Sequence, residues 1–306
     1  MLACGQNGTG SEMPAKVKTI ENLVFEGGGV RGIAYAGALK VLEGRGLLSG
    51  VRGVAGTSAG AFMALLLSLD YTPDEIAEIL KSLDFRSLED RPNPLRVASH
   101  YGFYKGDVLY DWIASQLIEK GLPETLTFEA LATEAARDLR VFATDLNIRD
   151  TREFSAATTP KASVAGAIRA SMSIPLMYSA WQFPDGIPDS HIYVDGGTVY
   201  NYPINAFDTE NTVNPRTLGF HFVRSQNNKR SKDLGTGSFL TYAQSLFATV
   251  LSAQEIDFRQ DPEQMQRTVG IDDHGYHATD LSLPPEGFEK LYGAGAQAIT
   301  ERLNMA

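Results

Sequence analysis

The stretch Leu23–Gly37, LVFEGGGVRGIAYAG, limits the fold more than any other part of the chain. A short apolar run meets three consecutive glycines, and an apolar segment at helical spacing follows. Asn22–Glu26 therefore reads as a buried strand and Ile33–Glu43 as a helix, stopped by Gly44 and Gly46. The next stretch repeats the arrangement. Val51–Ala55 reads as a second strand, and Ala59–Leu69, apolar nearly all round, as a central buried helix. Thr72-Pro73-Asp74-Glu75 then opens another helix, with Thr72 as N-cap, Pro73 at the first helical position and Glu75 closing a capping box. Strand, helix, strand, helix implies an α/β fold with a central, mostly parallel sheet.

Further along, Asp107–Glu119 and Thr127–Arg137 read as helices, Leu139–Thr144 as a strand and Ser163–Arg169 as the start of a helix. His191–Val194 and Thr217–Val223 read as strands, Gly237–Phe258 and Glu286–Leu303 as helices. Arg86–Lys105, rich in Pro, Gly and aromatics, is expected as a surface excursion capping the site. Met1–Pro14 lacks periodicity and is expected to be a disordered tail. With no internal repeat and no linker, residues 15–306 are expected as a single domain, its motifs within 22–223 and a helical part at 237–306.

Charge and cysteine content narrow the partners. A formal charge of −10 gives no net attraction to nucleic acid or anionic lipid, with a local basic patch left open. A lipid substrate would have to be held mainly through apolar contact. The single cysteine, Cys4, rules out an intramolecular disulfide. The longest apolar stretch, Val54–Leu69, is shorter than the roughly 18 residues of a membrane span and is broken by Thr57, Ser58 and glycines. The expected location is the cytoplasm, or outside the cell without a cleavable signal peptide, with peripheral contact to membranes.

Gly27, Gly29 and Gly32 satisfy the G-x-G-x-x-G spacing of a dinucleotide cradle. Such a unit needs an acid at the end of the second strand to hold the ribose hydroxyls. None stands there. The strand runs instead into Gly56-Thr57-Ser58-Ala59-Gly60, a G-x-S-x-G nucleophile elbow. Its glycines permit a sharp strand-to-helix turn that lifts the serine hydroxyl out of the sheet edge.

A nucleophilic serine needs a base and an oxyanion hole. The chain has five histidines. His274 and His277 suit the order of an α/β-hydrolase triad. However, their stretch, IDDHGYHATD, is polar and loop-like with no clear strand end before it, so exposed loop histidines are expected. Asp195 is the sharper candidate, because it follows a strand and precedes Gly196-Gly197, which let its loop approach another closely. Taken alone, Asp-Gly also fits a simple turn. Met63, Leu65, Leu66, Met172, Ile174 and Met177 are expected in the core, with an acyl channel as the alternative.

GGGVRG (Gly27–Gly32), GTSAG (Gly56–Gly60) and DGG (Asp195–Gly197), in that order, resemble the patatin-like phospholipases. ATDLN (Ala143–Asn147), ASMSIPLMY (Ala170–Tyr178) and DGGTVYNYP, with Asn201 and Pro203, agree; Tyr178 stands where the family often has phenylalanine. The resemblance implies a three-layer α/β/α fold and a Ser–Asp dyad without histidine. Ser58 would be the nucleophile and Asp195 the general base and acid. Gly27, Gly28 and Gly29 would form the oxyanion hole, Gly28 and Gly29 foremost, with Arg31 and Gly32 in support and Gly56, Gly60, Gly196 and Gly197 shaping the turns. Arg31 would orient the glycines or steady the oxyanion; an ordinary ion pair is the alternative. No metal or organic cofactor is required. The implied activity is lipid acyl hydrolysis of the phospholipase A or lysophospholipase type. The alternatives are an acyltransferase with the same dyad and a nucleotide-binding module using Gly27–Gly32. The implied partner is a lipid or phospholipid at a membrane or micelle surface, with an unidentified activating protein or small ligand in some relatives.

Overall fold

The computed structural model describes residues 19–210, 212–225, 238–258, 260–280 and 282–305. The expected tail, Met1–Pro14, lies outside them. The first half runs β1 (Asn22–Phe25), α1 (Ile33–Gly44), β2 (Gly53–Thr57), α2 (Ala59–Ser68), α3 (Pro73–Ser82), α4 (Arg96–His100), β3 (Gly102–Tyr104), α5 (Asp107–Glu119) and α6 (Phe128–Glu134). The second runs β4 (Asp138–Asp145), β5 (Asp150–Phe154), α7 (Val164–Ser171), β6 (Leu176–Tyr178), β7 (Tyr193–Asp195), β8 (Thr217–Val223), α8 (Phe239–Phe258), α9 (Pro262–Gln266), β9 (Thr268–Asp272) and α10 (Pro285–Met305).

Among the described residues the main sheet has seven strands in the order β5-β4-β2-β1-β8-β9, with β7 also paired to β4. β4, β2, β1, β8 and β9 are mutually parallel, while β5 and β7 run antiparallel to β4. The strand side chains alternate between two cores, as the period of two requires. Leu23, Phe25, Val54, Val141 and Ala143 enter the larger core, shared with α1, α2, α5 and α7. Val24, Ala55 and Phe142 face the other way, onto Tyr202, Ile204 and the Phe258 end of α8. The sheet is thus mixed, mostly parallel and flanked by helices.

Two features of the packing fix the frame. First, α1 and α10 cross at backbone distance. A Cβ on Gly37 would lie 2.0 Å from Tyr292 O, and one on Gly295 1.8 Å from Ala34 O. Second, β7 and β2 share one edge of β4. β5 occupies the opposite edge of β4 at Val141–Asp145, so β7, which pairs Asp195 with Ala143, must lie on the β2 side. β2 ends there with Thr57 opposite Phe142. The two strands run toward each other along that edge and stop face to face.

The capping box at Thr72 is formed, with Glu75 N–H donating to Thr72 Oγ1 at 3.2 Å and Thr72 N–H to Glu75 Oε2 at 2.6 Å. β2 starts two residues later than expected, because Val51 leaves a one-turn helix at Leu48–Gly50 in the extended conformation before pairing begins. α6 is shorter than expected and ends at Glu134. Arg86–Lys105 is not all irregular: it holds α4 and β3, and β3 pairs with β6 in a separate two-stranded sheet. Met63, Leu65, Leu66 and Met177 are buried, and Met172 and Ile174 pack half-buried against the same core.

Candidate active site

The register of β1 and β2 pairs Phe25 with Gly56. Two residues on, Gly27 stands level with Ser58. A Cβ on Gly27 would lie 3.3 Å from Ser58 Cβ, so the glycine loop and the elbow are in contact. Both loops leave the carboxyl ends of adjacent parallel strands, where open α/β sheets hold their ligands.

The elbow is tight because of its neighbours. A Cβ on Gly60 would sit 2.4 Å from Phe25 O and 2.6 Å from Glu26 O, and one on Gly56 2.3 Å from Gly60 C. The strain falls on Ser58 itself, at φ 54° and ψ −125°, a region that non-glycine residues occupy at a cost of about 1–3 kcal/mol. Two contacts hold it there. Ser58 N–H donates to Ser171 Oγ at 2.8 Å, and Ser171 Oγ donates onward to Phe142 O at 2.5 Å. Ser58 Oγ donates to Asp195 Oδ2 at 2.7 Å.

Asp195 ends β7 and is 0% exposed. Its Oδ1 accepts the Gly197 N–H at 2.8 Å, its N–H donates to Ser173 O at 2.8 Å, and Thr144 Oγ1 donates to its carbonyl at 3.1 Å. Burial pushes the carboxyl up to about 7, against the opposing pull of the bonds from Ser58 and Gly197. The following glycines are needed for room. A Cβ on Gly196 would lie 2.4 Å from Phe142 O, and one on Gly197 2.8 Å from Leu251 Cδ2 and 3.0 Å from Asp195 Oδ1.

The glycine loop is fixed from below. Glu26 Oε2 accepts the Phe222 N–H at 2.7 Å, and Oε1 accepts Asn201 Nδ2 at 2.9 Å. Burial opposes the charge on Glu26, but His221, Arg31 and the Phe222 N–H outweigh it and hold the carboxyl below its usual range. Asn201 also donates from Nδ2 to Gly27 O at 3.1 Å and accepts the Gly27 N–H on its carbonyl at 3.0 Å. The Gly27 N–H is therefore engaged elsewhere, which removes it from the three donors expected from sequence. The Gly28 and Gly29 N–H groups have no acceptor among the described residues. Gly29 takes φ +53°, and a Cβ there would lie 1.8 Å from Ala278 O. Gly32 is different: a Cβ there would make ordinary contact with Ala59 at 3.5 Å, so nothing local demands a glycine.

Arg31 combines two of its three expected roles. Its Nε donates to Gly28 O at 3.3 Å and its Nη1 lies 3.8 Å from Asp273 Oδ2, with the guanidinium 4.5 Å over the Phe222 ring. In a trans peptide the C=O and the next N–H point opposite ways. Holding Gly28 O therefore aims the Gly29 N–H away from Arg31.

His274 and His277 are not brought to Ser58, whose hydroxyl is bonded to Asp195. Their loop does follow a strand, β9, which the sequence pattern conceals: TVGID is short, carries Gly270 in its middle and alternates with exposed residues. Sequence reasoning also misses Glu26, Ser171 and Gln254. Gln254, on α8, donates from Nε2 to Gly197 O at 2.6 Å and accepts the Asn201 N–H on Oε1 at 2.8 Å. Only the position of Asn201 within DGGTVYNYP signals this bracing.

Comparison with known proteins agrees with the fold. The model of a family described as patatin-like phospholipase matches residues 23–208. An uncharacterized protein of Acanthamoeba polyphaga mimivirus, R571, is 29% identical over 295 residues, covering 93% of this chain and 94% of its own. A probable lipid hydrolase of invertebrate iridescent virus 6, 463L, is 26% identical over 194 residues, covering 62% of this chain and 64% of its own. The crystal structure of VipD from Legionella pneumophila superposes with a TM-score of 0.62 at 16% identity, over 93% of this chain and 67% of that one, which shows a shared fold. The nucleotide-binding alternative finds no support among these similarities.

Proposed function

Because the chain belongs to the patatin-like phospholipase family, we propose that it is a lipid acyl hydrolase of the phospholipase A or lysophospholipase type, working through a Ser58–Asp195 dyad. The observation that carries this reading is the 2.7 Å bond from a strained, elbow-borne serine to a fully buried carboxylate. Asp195 accepts the Ser58 proton as Oγ attacks the ester carbonyl. The tetrahedral oxyanion is held by the Gly28 and Gly29 N–H groups, each such donor being worth about 3–4 kcal/mol in the transition state. The N-terminus of α2, directly behind Ser58, favours the negative charge as it forms. Asp195 returns the proton to the leaving alcohol, then takes one from the water that hydrolyses the acyl-serine.

A carboxylate is a weak base toward an alcohol. Burial compensates in part by raising the basicity of Asp195, and the preformed loop lowers the barrier without reorganisation. Arg31 acts in this scheme through Gly28 O, as a positioning residue. The test is fluorophosphonate labelling with peptide mapping, alongside fatty-acid release from phosphatidylcholine. Ser58 is expected to be the labelled residue, and Ser58→Ala and Asp195→Asn are each expected to lose release by at least a thousandfold. Retained release in either purified variant refutes the dyad.

A further inference from the structure

α8 presents two different faces. Inward, Ala243 and Phe247 are buried, Leu251 packs by Gly197, and Gln254 bonds Gly197 and Asn201. Outward, Phe239, Tyr242 and Leu246 are 46%, 57% and 46% exposed, and the exposed Thr249 and Ala253 continue the same line. Their spacing of three and four residues keeps them on one side of the helix. From Phe239 to Gln254 the helix has no charged residue, and its polar positions beside Tyr242 are Ser, Thr and Gln. Large apolar side chains held out in water along one stripe call for a cover.

We infer that this stripe, Phe239, Tyr242 and Leu246, docks the protein onto a neutral, zwitterionic phospholipid surface, with α8 lying in the interface. The charge argument selects the occupant. A chain of net charge −10 is repelled by an anionic bilayer, and an uncharged helix face has nothing to pair with lipid phosphates. Attraction must come from inserting apolar side chains between headgroups, which works best where curvature loosens their packing. The same helix braces the DGG turn, so the docked face and the Ser58–Asp195 pair are joined by one rigid element.

The purpose of this docking rests on the hydrolase reading, but its test does not. The protein is floated with sonicated dioleoylphosphatidylcholine vesicles, without any turnover measurement. Binding is expected, unchanged between about 0.05 and 0.5 M NaCl because no ion pairs are involved, and weaker on large extruded vesicles of the same lipid. The variant F239S/Y242S/L246S is expected to lower the bound fraction at least tenfold while Ser58 still takes the fluorophosphonate. The variant L246W is expected to lose fluorescence on vesicles of brominated phosphatidylcholine, and this reading decides alone should the triple variant fail to fold. Undiminished flotation of the triple variant, or an unquenched L246W, overturns the proposal. So does binding that requires phosphatidylserine and washes off in salt. A wild-type dimer that the triple variant dissolves also overturns it, by giving the face to a second copy. Failure to label Ser58 in the wild type would sink the hydrolase reading and leave the flotation result standing.

Discussion

Asp195 is held in a state that costs the fold and, on the proposed dyad reading, serves the chemistry. Its carboxyl titrates at about 7, raised by burial. Proton abstraction from Ser58 needs the carboxylate, so kcat/KM is expected to fall about tenfold per pH unit below 7, as a pH–rate profile would read. Stability moves the other way. An unfolded Asp releases its proton near pH 4, whereas the folded one keeps it until about 7, so the folded state binds the extra proton in between. Stability contributed by this group is therefore present at low pH and is lost as pH rises from about 4 to 7. Asp195→Asn removes that loss, and its melting temperature relative to wild type is expected to be higher at about pH 8 than at about pH 5. Ser58 offers a second test. Exchanging Ala for Gly usually costs about 0.5–1 kcal/mol, but at φ 54° the order should invert. Ser58→Gly is expected to be more stable than Ser58→Ala by about 1 kcal/mol in urea unfolding, both being inactive.

At the level of elements, the site depends on how closely α2 approaches β1. Gly60→Ala places a methyl 2.4 Å from a backbone oxygen that cannot move without the sheet, so several kcal/mol of stability and most of the soluble yield should be lost. Gly44→Ala is the control. Among the described residues nothing lies within 4 Å of a Cβ at the end of α1, and a neutral or slightly raised stability is expected in the same assay. These contacts explain which parts are legible in the sequence. β1, β2, β4 and β8 are buried strands and read as apolar runs, and the glycines and serine that join them read as turns with a mechanism. β3 and β6 are three residues each, too short for a period, and β5, DTREF, is an edge strand whose polar residues are half-buried or, at Asp150, exposed. Spacing alone makes Gly27 a third oxyanion donor, because spacing does not say where an N–H points. Asn201 takes it, across a separation of 174 residues that no local pattern encodes.

Over the whole molecule, the region matched by the family model ends at residue 208, before the sheet is complete. β8 lies inside the sheet between β1 and β9, α10 packs into the backbone of α1, and α8 braces the DGG turn. A chain cut after Arg224 keeps Ser58 and Asp195 but loses α8, β9 and α10. It is expected to be insoluble, or soluble without fluorophosphonate labelling, in a comparison with the full chain. The crossing of Gly37 against Tyr292 O has a further consequence, in time rather than space. Translation delivers Ser58 and Asp195 well before the elements that brace them. On the ribosome the growing polypeptide holds its chemical groups while α1 still waits for its partner. α10 is made after both residues, so synthesis itself delays the moment at which the fold around Ser58 and Asp195 closes.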